Sequence, residues 1–234
     1  MYDRYFTRFG GAALGLGLLL ASTPARAQLT TFASVLTGAD ALQFLNNGAS
    51  STYKTTSGSA IPVVFRYSVA NGTSLVNTDI AATMTISAGV TGGAGGFFQS
   101  MNAANMVISA NAAINGKTNL LTLSTSTGTL TKSSGSTATF AGTQGGIGGT
   151  DIVTFSSDFL SFVGTTVRDF TITNNSISPG LTINGNGFMD TWTGTGSGLF
   201  ASNPVPQISS SAPEPTTLAL LVLGGFGIAL RRRH

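Results

Sequence analysis

The chain offers few side chains for acid–base or nucleophilic chemistry, and its central region provides only aspartates for this purpose. Between residues 28 and 212 there is no histidine, cysteine or glutamate, and the one histidine is His234. Ser-His-Asp and Cys-His nucleophilic systems need an imidazole base, so this region excludes both. Zinc, copper and iron sites built on histidine or thiolate are excluded for the same reason. We therefore expect no catalytic residue and no cofactor.

A glycoside hydrolase would need two carboxylates on either side of the scissile bond. The central region has six: Asp40, Asp79, Asp151, Asp158, Asp169 and Asp190. Asp151 with Asp158, and Asp169 with Asp190, are the candidate pairs. Solvation of strand ends and turns is the plainer interpretation of these residues. An Asp-dependent hydrolase is accordingly a remote alternative.

Two glycine tracts are the candidates for ligand loops. Calcium accepts Asp, Asn and backbone oxygens, and "GGIGGTD" at residues 145–151 comes nearest to a calcium loop without matching one. Neither this tract nor "GGAGG" near residue 92 has the spacing of a dinucleotide-binding or P-loop motif. We predict flexible loops without a metal.

The single tryptophan, Trp192, lies in "MDTWTGTGSG". With Tyr53, Tyr67 and neutral Asn and Thr side chains it would form a platform for stacking sugar rings. A lone tryptophan in a strand more often packs in the core. A carbohydrate-binding module that retains exopolysaccharide is thus the alternative function, and it requires an exposed Trp192 ring.

The basic charge of the chain belongs to its ends. The formal net charge is +3 and only 8% of residues are charged. Five basic residues face six aspartates in the central region, which is therefore nearly neutral. A region without a basic stripe cannot neutralise phosphates, so we expect no nucleic-acid partner.

The central region has the pattern of an all-β protein. Runs such as "IPVVFRYSV", "DIVTFSS" and "TVRDFTIT" alternate apolar and polar residues between Gly-, Asn- and Ser-rich turns. One helix is predicted over Ser34–Leu45. We predict an antiparallel β-sandwich or jelly-roll-like ectodomain of eight to ten strands over residues 28–201. A Pro/Ser linker over residues 202–212 follows.

The N-terminus has the features of a secretory signal peptide over residues 1–27. Arg4 and Arg8 precede the apolar run "GGAALGLGLLLAS", which predicts a signal helix. Ala25 and Ala27 stand at the −3 and −1 positions of a signal peptidase site before Gln28. We therefore expect the Sec translocon and signal peptidase as partners.

The C-terminus combines three features in order over residues 213–234. Pro213, Glu214 and Pro215 precede a short apolar segment, predicted to be helical, and then Arg231, Arg232 and Arg233. The apolar run of residues 216–230 would rise about 22 Å as a helix, less than the roughly 30 Å of a bilayer core. The arginines favour the cytoplasmic side and would act in retention.

This tail resembles the PEP-CTERM sorting signal. The resemblance implies an exosortase, a membrane-embedded protease-transpeptidase, that processes the tail near the PEP motif. It also implies transient anchoring in the inner membrane of a Gram-negative-type bacterium, followed by release to the cell surface or extracellular matrix. The leading hypothesis is a non-enzymatic surface or biofilm-matrix protein, with exopolysaccharide as a partner.

Overall fold

The computed structural model describes residues 29–48, 50–68, 75–94, 98–145, 149–185 and 187–209. Within these ranges the regular secondary structure is almost entirely β-strand, with one short 3-10 turn at Thr56–Gly58. The strands are β1 Thr30–Thr37, β2 Leu42–Leu45, β3 Thr52–Thr55, β4 Ile61–Tyr67, β5 Ile80–Ala94, β6 Phe98–Ile114, β7 Lys117–Thr125, β8 Gly128–Lys132, β9 Ala138–Gln144, β10 Val153–Ser156, β11 Leu160–Ser161, β12 Val167–Ser178, β13 Trp192–Asn203 and β14 Gln207–Ile208.

One antiparallel sheet contains twelve of these strands, in the order β1-β4-β5-β3-β2-β13-β12-β9-β8-β6-β7-β10. Additional pairings of β1 with β13 and of β5 with β6 return the sheet on itself. This is possible because β13 pairs along one edge with both β2 and β1, and along the other with β12. The long strand β5 likewise pairs with β3 and β4 on one edge and with β6 on the other.

The two layers of the folded sheet share one aromatic core. Tyr53 on β3 meets Phe140 on β9 with ring centroids 5.4 Å apart, and Phe32 on β1 meets Phe155 on β10 at 5.3 Å. The small β11–β14 pair covers one end of this core, where Phe162 packs on Phe32. The residues of the strands alternate between this core and solvent, as the period of two requires.

The glycines of β13 occupy inward positions and allow neighbouring strands to approach its backbone. A Cβ atom on Gly198 would lie 2.7 Å from Val35 Cγ1 on the adjacent strand β1. Gly194 and Gly196 are buried on the same face. The pattern "WTGTGSG" thus places Trp192 and three glycines inside and Thr193, Thr195 and Ser197 outside.

The all-β, antiparallel, sandwich-like prediction is confirmed, but three details differ. The helix predicted over Ser34–Leu45 is wrong, because β1 and β2 occupy this segment. The described residues form fourteen strands instead of eight to ten, since several are only two to four residues long. Residues 202–208 of the predicted linker are held on the domain, as β13 ends at Asn203 and β14 pairs with β11.

The predicted signal helix and C-terminal helix lie outside the described residues. Within the described ranges no helix is long and apolar enough to cross a membrane.

Candidate functional site

The residues predicted to direct sorting lie outside the part of the chain that the structure describes. These are the signal peptidase residues Ala25, Ala27 and Gln28, the motif Pro213, Glu214 and Pro215, and the arginines Arg231, Arg232 and Arg233. The last described residue, Ser209, precedes the motif by only four positions. Its backbone N–H donates to the Phe159 carbonyl at 3.1 Å, so the domain is ordered almost up to the motif.

Trp192 cannot serve as a stacking platform, because its side chain is only 1% exposed. The indole stacks on Phe44 with ring centroids 6.2 Å apart and lies 6.0 Å from the Tyr53 ring. Its Nε1 has no hydrogen-bond partner among the described residues. The predicted glycan contact through Trp192 is therefore wrong, since burial leaves neither face of the ring open to a sugar.

Tyr53 and Tyr67, the other members of the predicted platform, are also fully buried. The Tyr53 hydroxyl donates to Asn174 Oδ1 at 2.8 Å, and Asn174 Nδ2 donates to the Ala138 carbonyl at 3.2 Å. Burial raises the pKa of Tyr53, and the hydrogen bond to Asn174 opposes part of this rise. The Tyr67 hydroxyl donates to the Leu120 carbonyl at 2.6 Å, and burial raises its pKa as well. Both tyrosines are neutral core residues.

The two predicted aspartate pairs do not form as expected. Asp151 Oδ2 accepts from the Thr143 backbone N–H at 3.1 Å, and Asp169 Oδ1 accepts from the Thr143 hydroxyl at 2.5 Å. Asp158 lies elsewhere, accepting from the backbone N–H of Asn119 at 2.8 Å. The carboxylates that share a partner are thus Asp151 and Asp169. Through Thr143 on β9, their hydrogen bonds connect the segment that follows β9 with β12.

The remaining aspartates also have structural partners. Asp190 accepts from the Thr182 hydroxyl at 2.5 Å, and Asp40 accepts from the Thr193 hydroxyl at 3.0 Å. Asp79 forms an exposed ion pair with Arg66, with 2.6 Å between Nη2 and Oδ1. Among the described residues no three acidic, His or Cys side chains converge as a metal site would require.

A row of polar side chains crosses the outer face of the sheet, and no sequence motif pointed to it. Directly paired residues on seven neighbouring strands form this polar row: Thr193, Gln43, Lys54, Ser87, Asn105, Ser124 and Thr154. At about 4.8 Å between strands, the row extends roughly 29 Å along the surface. Lys54 is its only charged member. A depression of about 270 Å³ lies along it, lined in part by Lys54, Ser87 and Asn105.

The outward positions of β1, β4 and β13 form a second surface feature. Leu36, Val64 and Leu199 are 56%, 44% and 53% exposed and line a groove of about 430 Å³. Arg66 and Asp79 also line this groove. Neither the groove nor the polar row has a local sequence signal, because each depends on the register of strands distant in the chain.

The comparison with protein families identifies the tail. The family model of the PEP-CTERM protein-sorting motif matches residues 211–233. This includes the Pro-Glu-Pro tripeptide, the apolar run and the arginine cluster. No curated protein and no solved structure matches the chain. The chain therefore carries a PEP-CTERM sorting signal, which implies processing by an exosortase and export to the cell surface or beyond.

Proposed function

We propose that this protein is a non-enzymatic component of the bacterial surface or biofilm matrix. In this proposal the signal peptide directs it through the Sec translocon, and the tail holds it briefly in the inner membrane. An exosortase then cuts near Pro213–Pro215 and releases the β domain. The observation that carries the proposal is the sorting motif matched at residues 211–233.

The contacts of the aspartates support a non-enzymatic domain. A general acid or base must come within hydrogen-bond reach of its substrate, and five of the six carboxylates already accept hydrogen bonds from threonine hydroxyls or backbone N–H groups of the domain. Asp158, for example, accepts from two successive backbone N–H groups, those of Thr118 at 3.2 Å and Asn119 at 2.8 Å. Asp151 and Asp169 are both engaged by Thr143.

The sorting step is tested by replacing Pro213–Pro215 with three alanines in the native host. We expect the variant to stay unprocessed in the membrane fraction, while the unchanged protein matures. Mass spectrometry of the mature protein locates both the N-terminal and the C-terminal cut.

The matched control replaces Gln207, Ser209 and Ser210 with alanine, which changes the same number of residues just before the matched segment. This control should mature normally. A Pro213–Pro215 variant that matures and leaves the membrane like the control would refute the sorting role of the tripeptide.

Retention of exopolysaccharide is the second candidate function, and the polar row favours it. The regularly spaced neutral hydroxyl and amide groups of the row can form hydrogen bonds with the hydroxyls of a sugar polymer. Because Lys54 is the only cation in the row, the polymer need not be acidic. In this hypothesis the polar row, and not Trp192, would contact the sugar. The centre of the row lies on the outer face of β3, β5, β6 and β7.

The row is tested by the double substitution Ser87→Glu and Asn105→Glu, which puts two carboxylates at its centre. Binding to the host's purified exopolysaccharide should fall by about ten-fold or more, because the new charges must be desolvated at the contact. Thr129→Glu, an exposed position on β8 outside the row, is the control and should bind normally. Equal binding by all three proteins would remove this candidate.

A further inference from the structure

The first and last long strands of the domain bring both chain ends to one end of the sheet. Thr30 at the start of β1 pairs with Ser202 near the end of β13. Strand β12 also starts here, since Val167 pairs with Asn203. The segments before residue 29 and after residue 209 therefore join the domain at the same end, here called the tethered end.

The attachment to the sorting motif is short. Ile208 on β14 pairs with Leu160 on β11, and the Ser209 N–H bonds to the Phe159 carbonyl. Pro213 lies four positions after Ser209, and extended backbone covers at most about 14 Å over that length. The domain cannot stand further than this from its own sorting motif while β14 remains paired.

Three exposed apolar side chains lie in the segments that form the tethered end. Val163, in the loop between β11 and β12, is 88% exposed, and Leu29 and Ile208 are 38% and 39% exposed. Their neighbours Leu160 and Phe162 are buried in the core. The loop thus directs Phe162 inward and leaves Val163 outside, which gives the tethered end an apolar contact surface.

We infer that the tethered end, with Leu29, Val163 and Ile208, lies against the lipid surface while the sorting tail is attached. The inference rests on the proposed function, because it requires the tail to be held in the membrane. A motif at the bilayer surface and a tether of about 14 Å keep this end of the domain close to the lipid. Few apolar contacts suffice, because tethering keeps their local concentration high.

The geometry also predicts which part of the domain is remote from the membrane. β12 has 12 residues and is roughly 40 Å long at 3.3 Å per residue, well beyond the reach of the tether. Phe98, at the start of β6, lies away from the tethered end. Its register runs through Thr131 and Thr139 to Thr173. Thr173 is six residues along β12 from Val167, a distance of roughly 20 Å. Phe98 is 51% exposed and provides a matched apolar control.

Single labels can measure this orientation, because the chain contains no cysteine. The chain from Gln28 to His234, with Val163→Cys or Phe98→Cys, carries one fluorophore and is reconstituted into phosphatidylethanolamine–phosphatidylglycerol vesicles that contain a headgroup-attached quencher. Quenching should be about two-fold stronger or more at position 163, because a contact-range quencher acts over less than the roughly 20 Å that separates Phe98 from the level of Val167. Flotation of the vesicles reports anchoring separately.

The outcomes separate the orientation from the proposed function. Protein that floats but shows equal or stronger quenching at position 98, or none at either position, overturns the orientation and leaves the sorting proposal standing. Protein that does not float overturns the orientation together with the anchoring step. An insertion of about twenty Gly and Ser residues between Ser211 and Ala212 should remove most of the difference. An unchanged difference would refute the short tether as its cause.

Discussion

The buried pair of Tyr53 and Asn174 makes a specific prediction for Tyr53→Phe. Both side chains are fully buried, and the phenol donates a 2.8 Å hydrogen bond to Asn174 Oδ1. Phenylalanine fills nearly the same volume but leaves this oxygen without its donor. An unsatisfied buried acceptor costs about 1–3 kcal/mol, so we expect Tyr53→Phe to lower the free energy of unfolding at pH 7 by about 1.5 kcal/mol.

At alkaline pH the same substitution should become stabilising. Burial raises the pKa of Tyr53 in the folded state, whereas the unfolded phenol keeps its usual value of about 10. Above pH 10 the unfolded chain therefore releases a proton that the folded chain retains. The wild type then loses about 1.4 kcal/mol of stability per pH unit through this group until the folded-state pKa is reached. The phenylalanine side chain of the variant has no proton to lose, so the curves should cross near pH 11, about one unit above the unfolded pKa.

The assay is equilibrium urea unfolding between pH 7 and 11.5, followed by the fluorescence of the only tryptophan, Trp192. Tyr67→Phe is the matched comparison, because burial also raises the pKa of Tyr67. It should show the same loss of the alkaline slope. A stability difference between wild type and Tyr53→Phe that stays constant from pH 9 to 11.5 would refute the burial of the Tyr53 hydroxyl.

Three further predictions concern packing, exposure and charge. Gly198→Ala should destabilise the fold by about 1–3 kcal/mol, because the new methyl group overlaps a valine on β1. Gly38→Ala, with open space around the new Cβ, should change stability by less than about 0.5 kcal/mol. Urea unfolding measures both changes, and equal effects would contradict the close approach of β1 to β13. Trp192 fluorescence should be poorly quenched by iodide and unaffected by exopolysaccharide, since the ring is buried; efficient quenching in the folded protein would show an exposed ring. Arg66→Ala should cost at most about 1 kcal/mol, because its ion pair with Asp79 is about half exposed, and a larger loss in the same unfolding assay would point to a role beyond this pair.

The fold class could be predicted from the sequence, because the alternation of apolar and polar residues along a strand is a local property. The prediction failed at Ser34–Leu45, where Leu36 is exposed and Thr37 is buried, so the two-residue period is hidden. Thr37 is buried because its hydroxyl accepts a hydrogen bond from the Gly196 N–H at 2.7 Å. That partner belongs to β13, and no local pattern near Thr37 reveals it.

The candidate sites divide in the same way. The sorting motif is a contiguous segment, so its residue types and order were enough to predict it, and the family comparison confirms it. The inward position of Trp192 was available from the alternation in "WTGTGSG", which places the tryptophan on the face of the glycines. The polar row and the tethered end needed strand registers that residues distant in sequence determine together.

The pairing of β1 with β13 has a consequence for the timing of folding. β1 begins the described chain and β13 is its last long strand, so one edge of β1 has no partner until β13 is available. Contacts of such large sequence separation form slowly, because loop closure must precede them. In the export route proposed above, the translocated part of the chain would therefore stay incomplete until residues 192–203 have crossed. By the same proposal, the finished domain would form only when the sorting signal, which directly follows it in the chain, reaches the membrane.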